Sequence, residues 1–205
     1  MSAERPGPGE ELNTGDVTPP RASASLILLR DSPEGPEVLL VQRNPEQRFM
    51  GGAWVFPGGA TAAEDADERD TALRELEEEA GVRLGDEPEL ARYSRWITPA
   101  QVKVRFDTHF FVARAPDAAQ ITIDGSECVD SRWIRPADAL AAGERDELLL
   151  VFPTIKHLEQ LAGHASVEEA MTDARSRRVL PVEPRVLTDG GVARVVLPGE
   201  PGYDD

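Results

Sequence analysis

Glu75, Glu78 and Glu79 stand at positions i, i+3 and i+4 in the segment Arg74-Glu75-Leu76-Glu77-Glu78-Glu79-Ala80-Gly81-Val82. On an α-helix that spacing puts three carboxylates on one side of one turn. Such crowding costs roughly 0.2–0.5 kcal/mol per like-charged pair. A hard divalent cation that prefers oxygen, Mg²⁺ or Mn²⁺, would neutralise it. A lone Glu-rich turn is ordinarily a solvated helix face, but this one has a context. A short strand, Ala53–Phe56, and the turn Pro57-Gly58-Gly59 come before it, and glycines let main-chain N–H groups approach a phosphate closely. Strand, glycine turn and acidic helix in that order form a place where metal ions and phosphate can meet.

The helix that carries the acids is predicted over Asp67–Ala80, where Ala72, Leu73, Leu76 and Ala80 recur at helical spacing to face a core and Gly81 supplies a stop. Upstream, β-type runs at Ser23–Arg30 and Glu37–Val41 flank turn chemistry in Asp31-Ser-Pro-Glu-Gly-Pro36. Downstream come strands at Glu89–Ile97, Arg105–Ala113 and Glu127–Ile134, then helices near Ala137–Ala142 and Thr154–Ala162. This order predicts an α+β chain in which a mixed β-sheet is sandwiched between helices. Residues 1–20 read as a disordered tail, 21–163 as the main domain and 164–205 as a C-terminal extension. That extension holds a helix, Val167–Ser176, an extended run, Val179–Leu187, a turn at Asp189-Gly-Gly and a β run at Val192–Leu197. The expected hairpin covers a sheet edge or makes a contact in a homodimer.

Composition narrows the partners. Lys and Arg number 22 against 38 Asp and Glu, a net charge of −16, and a surface so acidic repels nucleic acid and anionic membranes alike. A small anionic ligand in a local basic pocket fits better. The single cysteine, Cys128, has no internal partner for a disulfide, and no stretch approaches the about 20 apolar residues of a membrane span. No secretory plan opens the chain, so a cytoplasmic setting is expected.

The segment Arg74–Val82 matches in full the last nine residues of the Nudix signature, so the chain resembles the Nudix hydrolases. One residue is inserted between Gly59 and Arg74 relative to that signature, which leaves its early acid to Glu64 or Asp65. The resemblance implies the Nudix fold and hydrolysis of a diphosphate joined to a nucleoside. It implies Glu75 and Glu79 as principal metal ligands, Glu78 as ligand of a further ion or helper in water activation, and Arg74 as the residue that holds these carboxylates. A further acid often comes from a distant loop. Glu127 is the candidate here, with Asp124 and Glu144 as alternatives. His109 and His157, in apolar surroundings, read as core or surface histidines.

Leu39-Leu40-Val41-Gln42-Arg43, Arg48, Gly52 and Phe56-Pro57-Gly58-Gly59 resemble the extra signature of coenzyme A diphosphatases, with Val41 where that signature has threonine and Asn44 where it has a small residue. Ser94–Pro99, Arg105–Phe111 and Trp133 with Pro136–Leu140 are similar to the branch that includes a mammalian peroxisomal enzyme and bacterial relatives. Coenzyme A or its thioesters, cut to 3′,5′-ADP and a 4′-phosphopantetheine, are therefore the expected substrates. ADP-ribose or a dinucleotide such as NADH is the alternative, and a non-catalytic nucleotide sensor is the alternative of another class. Arg43, Arg48, Arg95 and Arg105 are the candidate phosphate contacts, together with Gly58 and Gly59. Trp54 and Trp96 either stack on a base or pack in the core.

Overall fold

The computed structural model describes residues 12, 13, 15–117, 119–189 and 192–203. Its centre is a mixed sheet whose main path runs β3(Trp54–Val55), β2(Gly35–Arg43), β1(Arg21–Ser32), β6(Phe106–Arg114), β5(Ala91–Ile97) and β8(Pro181–Val182). Two further strands branch from it: β4(Gly58–Ala60) pairs with β1, and β7(Cys128–Ile134) with β2. β1 runs parallel to β6 and β5 parallel to β8, while the other pairs are antiparallel.

β1 shows why the sheet lies inside. Its residues 23–29 are buried without a break. Side chains alternate between faces, so an unbroken buried run needs cover on both. Ala24, Leu26 and Leu28 pack with Leu39, Phe111 and the apolar side of the first helix, α1(Glu68–Ala80). Ile27 and Leu29 pack on the other face with residues of α2(Pro136–Glu144), α3(Phe152–Leu161) and α4(Val167–Ser176). The expected sandwich of a mixed sheet between helices is what the chain forms.

Local chemistry explains the ends of these elements. Asp67 caps α1 by accepting from the N–H groups of Arg69 (2.8 Å) and Asp70 (3.1 Å), which an aspartate just ahead of a helix does well. Gly81 closes it in the left-handed region at φ 69°, a conformation that glycine reaches without penalty. The β1–β2 turn is tight, with Ser32 opposite Gly35.

Two expectations are corrected. Pro57-Gly58-Gly59 is not a free turn, because Gly58 and Gly59 belong to β4, in register with Ser25 and Ala24 of β1. The extended run Val179–Leu187 splits at Pro184, which has no N–H to continue a ladder, into β8 and β9(Arg185–Asp189). Of the tail expected over 1–20, residues 1–11 and 14 lie outside the described residues. The described part is pinned, since Leu12 bridges to Val102 and Asn13 N–H donates to the Gln101 carbonyl at 2.7 Å.

The extension is also continuous with the core. Val167, Ala170, Met171 and Ala174 of α4 sit in the same apolar cluster as Ile27 and Leu29, and the Val167 N–H donates to Asp31 Oδ1 at 2.9 Å. β8 covers the β5 edge, and β9 pairs with β10(Val192–Val196) as a separate two-stranded ribbon. No described helix is long and apolar enough to cross a membrane.

His157 of α3 is fully buried among the rings of Phe56, Tyr93, Trp96 and Phe110, with Nε2 at 2.6 Å from Ser94 Oγ. Burial pushes its pKa down to about 3. An unfolded chain takes up this proton near pH 6.5, so between the two values the unfolded state holds one proton more and stability falls as pH drops. We predict that His157→Phe removes this contribution: between pH 7 and pH 5 the variant loses about 2 kcal/mol less unfolding free energy than the parent chain. Urea unfolding at both pH values measures it, and equal losses would refute the assignment.

Candidate active site

Leu76, Ala72 and Ala80 lock α1 onto the sheet, and this sets where its acids go. Glu75 and Glu79 fall at the seam with β4 and are only 8% and 2% exposed, whereas the Glu78 side chain is 59% exposed. The expected convergence of three acids on one side is thus divided: two carboxylates are interior and one faces solvent. Among the described residues no three His, Cys, Asp or Glu side chains stand together as a ready metal cage.

Arg74 links the two groups. Its Nη1 donates to Glu75 Oε1 at 2.8 Å and Glu78 Oε2 at 2.9 Å, and its Nη2 to the Ala60 carbonyl at 3.1 Å. Its remaining donors form a two-pronged pair with Asp65, both at 2.9 Å. Asp65 also accepts from the Ala62 N–H at 2.8 Å and the Thr71 hydroxyl at 2.9 Å. The Arg74 guanidinium and these donors hold the Asp65 carboxyl well below the usual range. Of the two acids left open in the loop, Asp65 reaches Arg74 and Glu64 is exposed. Asp65 stands at the signature's five-residue spacing from Gly59, so the extra residue falls between Asp65 and Arg74.

The interior acids are poorly compensated. Burial raises the Glu75 pKa, Arg74 opposes this, and the charges of Glu78 and Glu127 reinforce it. Glu79 accepts the Gly58 N–H at 3.0 Å, so the amide expected for phosphate is engaged by a carboxylate. Burial, with Glu75 nearby, pushes Glu79 up to about 7, against the pull of that N–H, Arg43 and the Cys128 thiol. Two desolvated carboxylates with hard oxygen donors are the donor chemistry that Mg²⁺ or Mn²⁺ takes, so the residues present fit such an ion.

β4 permits this burial because two of its three residues, Gly58 and Gly59, lack side chains. A Cβ at Gly59 would stand 2.6 Å from Glu75 Cδ, and one at Gly58 2.7 Å from Ser25 Cα. Next to the seam opens a cavity of about 490 Å³ lined by Glu75, Gly58, Gly59, Arg43 and Glu127. Arg43 keeps its side chain there through Gln47, and its buried Nε has no partner among the described residues. Glu127 is exposed on a loop that Asp124 shapes by accepting from the N–H groups of Ser126, Glu127 and Cys128. Burial works to raise the Asp124 pKa, yet these bonds and the Ser126 hydroxyl hold it at about 2.

The other expected residues lie elsewhere. Arg95 forms a two-pronged pair with Asp107, 2.8 and 2.6 Å. Arg105, 6% exposed, donates to the carbonyls of Thr98 (2.9 Å) and Thr18 (2.8 Å) and to Glu183 (2.6 Å). Arg48 and Glu144 are exposed, and none of these four residues lines the cavity. His109 is half-buried on β6, and burial lowers its pKa. Trp54 is in the core, while Trp96, also buried, borders the cavity. Sequence reasoning missed Phe49, Met50, Phe106 and Phe152 as cavity walls, and also Pro184, Val186 and Val195 of the extension. Their only signal was apolar character beside turns, which does not say what they face.

A mixed sheet between helices, with an Arg-anchored acidic helix under a glycine strand, defines a protein of the Nudix class, and the chain belongs to that family: the NUDIX domain pattern matches residues 19–153. It is 30% identical over 115 residues to the putative 8-oxo-dGTP diphosphatase 3 of Mycobacterium tuberculosis, covering 55% of this chain and 51% of that protein. It is 27% identical over 180 residues to the putative nudix hydrolase 7 of Caenorhabditis elegans, covering 69% and 60%. The chain thus spans about half the length of the curated relatives it matches. The crystal structure of a NUDIX hydrolase from Alicyclobacillus acidocaldarius superposes with a TM-score of 0.68 at 29% identity, over 76% of this chain and 96% of that one.

The two glycines lead to different expectations. Gly58→Ala drives a methyl into β1 main chain and should destabilise the fold by about 1–3 kcal/mol. Gly59→Ala meets only the end of the Glu75 side chain, so it should fold at smaller cost while weakening Mn²⁺ binding. Chemical unfolding and Mn²⁺ titration by electron paramagnetic resonance separate the two effects. Full-strength Mn²⁺ binding by Gly59→Ala would contradict the placement of Glu75.

Proposed function

We propose that the chain is a divalent-metal-dependent hydrolase of a diphosphate that joins a nucleoside to a second group. The observation that carries this reading is the pair of buried, undercompensated carboxylates, Glu75 and Glu79, at the seam beside a cavity that Glu75, Arg43 and Glu127 line. Glu75 and Glu79 are the principal metal ligands. Glu78, exposed and within reach of Arg74, takes a further ion or assists the water.

Glu75 and Glu79 would hold divalent ions, which would offset the diphosphate charge and make a nearby water more acidic. The chain supplies position. Asp65 braces Arg74, which orients Glu75 and Glu78, and the Gly58 N–H orients Glu79. Arg43, which lines the cavity, offers its guanidinium to a phosphate oxygen. Glu127, exposed at the cavity, accepts the proton of the attacking water.

Sequence resemblance favours coenzyme A or a thioester of it. Of the arginines expected to grip its phosphates, Arg43 lines the cavity, whereas Arg95 and Arg105 are engaged by Asp107 and Glu183. The coarser class, a nucleoside diphosphate with a second substituent, is therefore the reading with the most support. Incubating the chain with Mg²⁺ and coenzyme A, an acyl-coenzyme A, ADP-ribose or NADH, with mass identification of products, tests both levels. A diphosphate cut of any member supports the reaction class; 3′,5′-ADP from coenzyme A supports the finer substrate. Glu79→Gln should abolish turnover with a thermal transition no lower than the parent's, because the isostere keeps its place on the helix and removes a desolvated charge. Nucleotide binding with no turnover in the parent chain would replace the hydrolase with a sensor.

A further inference from the structure

The cavity beside the acidic helix is not closed by the 19–153 segment alone. Val186 of β9 and Val195 of β10 are directly opposite in the ribbon register, which puts both side chains on one face, and both line the cavity together with Pro184. Phe49, Phe106 and Phe152 border the same space. The ribbon is held in place. Buried Arg105 ties Glu183 at 2.6 Å to the Thr98 carbonyl at 2.9 Å, and Thr98 itself lines the cavity. The Tyr203 hydroxyl donates to the Glu183 carbonyl at 2.8 Å, and Val182 of β8 pairs in register with Trp96. These contacts fix the ribbon against the end of β5, where Trp96, Ile97 and Thr98 face the same space.

We propose that the β9–β10 ribbon is a specificity wall of the active site, selecting diphosphates whose second substituent is apolar and uncharged, with Val186 and Val195 as the contacting residues and Arg105 as the positioning residue that tethers the wall. The proposal rests on the hydrolase reading above. Its physical basis is desolvation. An apolar substituent leaves water for an apolar surface, whereas a polyhydroxyl or charged one gives up hydrogen bonds to water that valine, proline and phenylalanine side chains do not replace.

The test compares two esters that share one half, ADP-hexyl ester and ADP-ribose, with the full chain and Mg²⁺. Val186→Asp should lower the ratio of kcat/KM for the hexyl ester to that for ADP-ribose by about tenfold or more. Val195→Thr, nearly isosteric and a good strand former, should shift it the same way by a smaller factor, and it keeps the test open should the aspartate variant misfold. A ratio unchanged within about twofold in the folded variants, or equal losses on both esters, overturns the wall. If the parent chain cleaves neither ester and no diphosphate of the panel above, the hydrolase reading falls. The calorimetric affinities of the same esters for the parent and Val186→Asp chains then decide the wall. A drop in the hexyl-to-ribose affinity ratio upholds it, and an unchanged ratio or no binding overturns it.

Discussion

The close approach of the β4 main chain to β1 on one side and to the Glu75 carboxylate on the other is the constraint on which the site depends. Neither approach tolerates a methyl group in place. Because β4 lies there, Glu75 and Glu79 lose water, and the Gly58 N–H is brought to Glu79. Desolvation without full compensation raises the energy of both anions, and that is the state in which a hard cation binds with most gain. The glycines thus act through space left for acids and through one amide that orients one of them.

Arg74 meets the opposite requirement, that like charges be held near one another without the helix coming apart. Its fork reaches Asp65, Glu75 and Glu78. Asp65, braced by Ala62 and Thr71, fixes the guanidinium from the far side. A lysine in its place has one charged point and no planar fork, so it does not reproduce an arrangement in which one side chain serves three carboxylates and a carbonyl.

The C-terminal segment gives the family fold its individual shape here. α4 completes one face of the sheet, β8 extends its edge, and the ribbon after it turns an open cleft into a walled cavity. Arg105 is central to that closure although it touches no cavity surface. One buried guanidinium joins residues as distant in sequence as Thr18, Thr98 and Glu183. A buried arginine left without such partners costs several kcal/mol, which ties the three segments into one unit.

Elements that depend on local order were legible in the amino-acid sequence. The i, i+3, i+4 acids, the apolar spacing of α1, the Gly81 stop and the β-type run of β1 are properties of neighbouring residues, and helix and strand periods turn them directly into faces. The sandwich followed, since those faces need cover. What the tertiary structure decided was the use of each polar group. Gly58 and Gly59 entered a strand because β1 and α1 were there to receive them. Asp65 rather than Glu64 met Arg74, in a loop where the Ala62 N–H and the Thr71 hydroxyl aim its carboxylate. Arg95 and Arg105 went to Asp107 and Glu183, while Arg43 stayed on the cavity wall. Each of these outcomes turns on a partner far along the chain, which no spacing of neighbours encodes. The wall built by Val186 and Val195 is the extreme case, since an apolar pair in a hairpin shows which face is apolar and leaves what that face covers to the folded chain.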